Sequence, residues 1–355
     1  MKVLFDIGHP AQVHIFKNVI RGLNERGHET KVIVRERDCA THLLNKYDIG
    51  YETIIEEHYH GLLRKALGTP HLVYKSYDIL KKFDPDVLIS EGPLYSHIAC
   101  KLLGKHSISF LINESEYGAY LDNIFSPFVD LVCTSTSFEG RIDPRKNTQY
   151  NGYLHLTYLH PDYFKPDDTV LRELEIDKNE KFFILRFKKY DATHDIGQHG
   201  FSFDKFRFIK KLEHYGKVFV SSHGGLSRDL KKYELRLPPE KLQDAIYFAN
   251  TYIGDGFSTA TESAILGTPA ILVSTIKRGY INELRDKYGL VYTCKDDEEA
   301  LRIFSQLQED KRLKEKWRMK KEKMLSEKID VTAFIIDLIE NYPQSVEKIK
   351  SARGG

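Results

Sequence analysis

Tyr252 to Ser274 reads YIGDGFSTATESAILGTPAILVS: an apolar run, a turn of small residues, a helix carrying Glu262, and a second apolar run. Gly254, Gly256, Ser258 and Thr259 supply the turn. A turn of this kind ahead of a helix offers free backbone N–H groups and the positive helix end to a phosphate. Glu262 follows about one helical turn further on, within reach of a group attached to that phosphate, such as a ribose. Earlier in the same half, Arg186 closes the run FFILR and can make a charge-assisted contact to a departing diphosphate.

The first half carries residues that move protons instead. His14 stands in the loop GHPAQVH after the first apolar run, and a histidine at such a mouth can take a proton from a hydroxyl near neutral pH. Glu91 and Glu114 are the carboxylates that would orient its ring and stabilise its charged form. The competing reading is that His14 and His9 cap a helix or brace the loop. His194, Asp195, His199 and His223 have irregular spacing, so no metal site is expected from them.

The elements that must position these residues alternate strand and helix. Lys2 to Ile7 reads as a buried strand, about Ile15 to Glu25 as an amphipathic helix closed by Gly27, and Thr30 to Val34 as the next strand. Asp86 to Ser90, Ser107 to Leu111 and Leu131 to Thr134 continue the strands. This pattern predicts a parallel sheet with its ligand crevice at the carboxyl ends of the strands. There His9, His14, Glu91, Gly92, Asn113, Glu114 and Glu116 converge. Gly61 to Phe83 is read as two sheet-covering helices separated at Gly68 to Pro70, with a basic surface for an anionic membrane as the alternative. A second alternation starts at Lys181, so the fold class is α/β with two Rossmann-like doubly wound domains facing a central cleft. The expected divisions are 1–152, a linker 153–166, 167–329, a terminal helix 330–342 and a tail 343–355.

Composition supports a soluble globular chain of two domains: 355 residues, 41% hydrophobic and 29% charged. The 53 basic and 51 acidic residues nearly cancel, which argues against a nucleic-acid partner held by bulk charge. Cys39, Cys100, Cys133 and Cys294 are far apart and read as reduced thiols. The short apolar run before Asp6 and the lack of any membrane-length segment lead to a cytoplasmic expectation.

HPAQVHIFKNVIRGLNERGHE resembles the opening of inverting glycosyltransferases of the GT-B fold, whose first loop often reads PAQGH. The resemblance implies that His14 is the general base, with Val13 standing where that family has glycine. DGFSTATESAILGTPAILV resembles both the GWNSTLEA segment of those transferases and the DSGGxQEEAxxLGxPxLV segment of non-hydrolysing UDP-GlcNAc 2-epimerases. By position it implies that Gly256, Ser258 and Thr259 face phosphate and Glu262 the ribose. Arg278, Asn282 and Glu283, with His223, are candidates for contacts to the donor. The whole sequence resembles a prokaryotic group placed near these two families, and the likeness to the GT-B fold implies that the terminal helix 330–342 crosses back to the first domain. The implied activity is transfer of a sugar from a nucleotide-diphosphate donor, expected to be a UDP-sugar, to a hydroxyl on a glycan or lipid-linked acceptor in cell-surface polysaccharide synthesis, without metal or cofactor. The rival expectations are a nucleotide-sugar 2-epimerase or hydrolase using Glu91, Glu114 and Glu116, and a noncatalytic nucleotide-sugar binder.

Overall fold

The computed structural model describes residues 1–35, 39–55, 62–92, 94–112, 126–177, 180–187, 205–222 and 226–346. The chain divides into two compact units, Met1–Tyr158 with Ile329–Gly355, and Leu159–Lys328.

The first unit runs β1 (Lys2–Ile7), α1 (Pro10–Glu25), β2 (Glu29–Arg35), α2 (Ala40–Lys46), β3 (Tyr51–Ile55), α3 (Leu62–Phe83) and β4 (Val87–Ser90). It continues with α4 (Leu94–Leu102), β5 (His106–Leu111), β6 (Leu131–Ser135) and β7 (Asn147–Tyr150). These strands form one seven-stranded parallel sheet in the order β3-β2-β1-β4-β5-β6-β7. Val3, Leu4, Phe5 and Ile7 of β1 and Val87, Leu88 and Ile89 of β4 are fully buried, as strands covered on both faces must be. The chain winds one way from β1 to β3 and the other way from β4, so the crevice opens at the carboxyl ends of β1 and β4.

After α5 (Leu156–Leu159) and α6 (Thr169–Glu173) come β8 (Phe182–Phe187), α7 (Lys205–Leu212), β9 (Lys217–Ser222), α8 (Leu242–Phe248) and β10 (Thr251–Gly254). Then follow α9 (Phe257–Leu266), β11 (Ala270–Val273), α10 (Gly279–Asp286), β12 (Val291–Cys294), α11 (Asp297–Glu309) and α12 (Leu313–Glu327). The second sheet is also parallel, ordered β12-β11-β10-β8-β9, and its winding reverses between β8 and β10. The last helix, α13 (Val331–Glu340), belongs to the first unit. It buries Ile335, Ile336 and Ile339, and Ile336 lies so close to Gly22 of α1 that a Cβ there would collide with it. Asn18 Nδ2 and Thr332 Oγ1 both donate to the carbonyl of Thr157, at 2.7 and 3.1 Å, and so tie α1 and α13 to one point.

Two expectations change. Helix α1 begins at Pro10 rather than Ile15, because proline suits the first helical position and His9 caps it, its Nδ1 accepting the Ala11 N–H at 3.1 Å. The stretch 62–83 is one helix with Pro70 inside it, not two helices. Proline forfeits one rung of the ladder, while Leu72, Ile79, Leu80 and Phe83 still bury a continuous stripe.

Candidate functional site

In the second unit the reversal point lies between β8 and β10, where Arg186 and Gly254 are register partners. Gly254 is the last residue of the strand and not part of the turn. A Cβ there would overlap the Tyr252 hydroxyl and sit 2.8 Å from the Arg186 carbonyl, so close packing demands glycine. Gly256 is the extended N-cap of α9, with φ −91° and ψ 114°. Among the described residues no side chain caps that helix, and its first turn holds no acid. The N–H groups of Phe257, Ser258 and Thr259 therefore open the helix, with the buried carboxylate of Asp255 two residues ahead of Phe257. Ser258 is exposed and Thr259 buried.

Glu262 is buried one turn deeper, and its Oε1 accepts from Gln243 Nε2 at 3.1 Å. Arg186 donates from Nη1 to Ser221 Oγ at 2.9 Å. Arg278 is the N-cap of α10 and lays its guanidinium 5.6 Å above the ring of Phe257, the first residue of α9. Its Nε is buried and meets no acceptor among the described residues. A permanent cation thus stands beside the open helix start. Glu283 is placed elsewhere: Lys328 Nζ, almost wholly buried, donates to its Oε1 at 2.7 Å. That ion pair engages one oxygen of the carboxylate.

At the first unit's reversal point, Asp6 of β1 pairs in register with Ser90 of β4. Gln12, in the first turn of α1, bridges the two loops that follow. Its Oε1 accepts the Gly8 N–H at 2.6 Å, and its Nε2 donates to the carbonyl and to Oε2 of Glu91, both at 2.9 Å. Burial pushes the Glu91 carboxyl up to about 7, with the Gln12 hydrogen bond acting in the opposite direction. Asp6 is fully buried, and desolvation raises it to about 6 against the pull of Arg35, Ser96 and Tyr95. The Tyr95 hydroxyl donates to Asp6 Oδ1 at 3.2 Å, and the Arg35 guanidinium stacks 5.2 Å from the Tyr95 ring.

His14 lies in the second turn of α1, not in a loop, because the helix starts at Pro10. Its ring is packed between Tyr47 and Tyr158, and the Tyr47 hydroxyl is 3.2 Å from Nδ1. Burial and the nearby Lys17 depress it to about 3, so the ring is neutral at physiological pH. Glu114 and His223 lie outside the described residues, as do Asn113, Glu116, His194, Asp195 and His199. Among the described residues no group of His, Cys, Asp or Glu is arranged to hold a metal, and no helix is long and apolar enough to cross a membrane.

Gln12, Asp6, Arg35 and Gln243 were not picked out by motif. A carboxylate inside the apolar run VLFDI is the one signal that could have flagged Asp6, because a charge on a buried strand needs a reason.

A family model described as "Protein of unknown function (DUF354)" matches residues 1–344. No curated protein matches the chain. Among solved structures, UDP-GlcNAc 2-epimerase from Neisseria meningitidis bound to UDP-GlcNAc has a TM-score of 0.68 at 15% identity, over 96% of this chain and 100% of that one. The S. aureus MnaA–UDP co-structure has a TM-score of 0.69 at 13% identity, covering 97% and 98%. MurG of Acinetobacter baumannii has a TM-score of 0.57 at 16% identity, covering 96% and 99%. The fold is therefore the two-domain parallel α/β arrangement of GT-B glycosyltransferases and 2-epimerases.

Proposed function

The chain belongs to the DUF354 family, and from its fold and its two sheet edges we propose that it is a nucleotide-sugar enzyme, a glycosyltransferase with a nucleotide-diphosphate donor. The observation that carries this reading is the uncapped start of α9, with Arg278 beside it and Glu262 one turn behind. The N–H groups of that turn and the guanidinium are suited to a diphosphate, and Glu262 to ribose hydroxyls. Two proteins of similar fold were solved with UDP-GlcNAc or UDP, which supports a UDP-sugar.

In the reaction, Glu91 takes the proton of the acceptor hydroxyl while that oxygen bonds to the anomeric carbon. The bond from that carbon to the diphosphate breaks, and the diphosphate leaves with the electron pair. Its charge is met by the α9 turn, Arg278 and Arg186. Glu91 suits the base role better than His14. A carboxyl poised at about 7 accepts a proton at working pH, whereas an imidazole held at about 3 is a feeble base. The acceptor in this reading is a glycan or lipid-linked hydroxyl of cell-surface polysaccharide synthesis, and the reaction runs in the cytoplasm.

A second reading, epimerisation of the nucleotide sugar, rests on the same carboxyl, since a group at about 7 can also withdraw a proton from the sugar carbon. Incubation with UDP-sugars in the presence and absence of glycan acceptors separates the two. Release of UDP that depends on acceptor supports transfer. Formation of an epimer without acceptor overturns it in favour of epimerisation. A thermal-shift comparison of nucleoside diphosphates tests the donor site independently, because a selective ligand raises the melting temperature by mass action.

A further inference from the structure

Gln12 is buried and uses both ends of its amide. The Gly8 N–H can only donate and the Glu91 carbonyl can only accept, so the two partners fix which way the amide faces. A flipped amide would set oxygen against oxygen and N–H against N–H. The side chain thereby fastens the loop after β1 to the residue after β4, across the reversal point of the sheet. It occupies Oε2 of Glu91 and leaves Oε1, which accepts nothing among the described residues, for a substrate.

We propose that Gln12 is a positioning residue for Glu91: its amide locks the carboxylate in one rotamer and determines which oxygen meets the substrate hydroxyl. This rests on the reading that Glu91 moves the proton. The hydrogen bond is donated to the ionised carboxylate, so it also favours the basic form against the burial that opposes it. Among the described residues Tyr150 of β7 responds to the Glu91 charge, and burial keeps its phenol protonated well beyond neutral pH.

Gln12→Leu keeps the bulk and removes both ends of the bridge, while Gln12→Glu keeps an acceptor for Gly8 and loses the donor. The first readout needs no activity. In full-length protein with 13C-labelled glutamate carboxyls, assigned with Glu91→Gln, the Glu91 titration midpoint moves up by about one pH unit in Gln12→Leu, as loss of a hydrogen bond to a charged group implies. The second readout is turnover: kcat falls about fivefold at neutral pH with the donor KM unchanged, and recovers as the pH is raised. A merely unfolded variant would not recover with pH. An unchanged midpoint in folded Gln12→Leu overturns the proposal whatever the reaction proves to be. If Glu91→Gln turns over normally while the midpoint still moves, Gln12 orients Glu91 and the assigned base is what fails.

Discussion

The two sheet edges share a topology and differ in what they are made of. At the end of β1 and β4 stand groups that burial has moved off their ordinary values: Glu91 to about 7, Asp6 to about 6 and His14 to about 3. At the end of β8 and β10 the described groups are backbone N–H groups, hydroxyls, the guanidinium ions of Arg186 and Arg278 and the buried carboxylates of Asp255 and Glu262. One winding reversal therefore builds two kinds of site. The first edge is suited to a proton that comes and goes, the second to an anion that stays charged throughout.

Substitutions can break that contrast. Glu91→Gln should have the largest effect, lowering kcat by roughly 10²- to 10⁴-fold while leaving donor affinity intact. Steady-state rates set beside calorimetric titration with UDP check it, and a parallel loss of affinity would erase the division of labour. Arg278→Ala should act on the other edge only, weakening UDP about ten- to a hundredfold and leaving uridine unaffected. Equal losses for nucleotide and nucleoside would show that Arg278 does not see the phosphates.

Gly254→Ala should cost about 1–3 kcal/mol of stability in denaturant titration, because the new methyl group overlaps the Tyr252 hydroxyl. Normal stability would mean that the strand end is looser than its packing implies. The smallest effect concerns pH. The Glu91 carboxyl has a folded value of about 7 against a reference of 4.5, so its stabilising contribution is complete below 4.5 and is lost as the pH rises through 7. Glu91→Gln lacks that loss and should gain about 1–2 kcal/mol relative to the native chain between pH 5 and pH 8. Melting curves across that range test it, and a flat difference would show that Glu91 is not desolvated.

The strands were legible because a strand buried on both faces must be written in apolar residues, as in VLFDI, FFILRF and AILV. The turn before α9 was legible for a related reason: small residues between a strand and a helix have few other uses. Helix starts were harder to read. Pro10 looked like loop, and its place at the first helical position depends on the His9 cap, which becomes visible only in three dimensions. Glu283 illustrates the same limit, since its partner Lys328 is 45 residues away in sequence and no local pattern links the two. Gln12 was passed over because an amide announces nothing until both of its partners are known.

Helix α13 bears on how the protein is made. The first unit draws on residues before 159 and after 328, so the whole of the second unit leaves the ribosome before the first can close its core. Val331, Ile335, Ile336, Leu338 and Ile339 are fully or almost fully buried, which leaves α1 without its cover until they emerge. Because chains emerge from their amino end, the unit that is begun first is completed last, and its β1–β4 edge matures only once the β8–β10 edge has been synthesised.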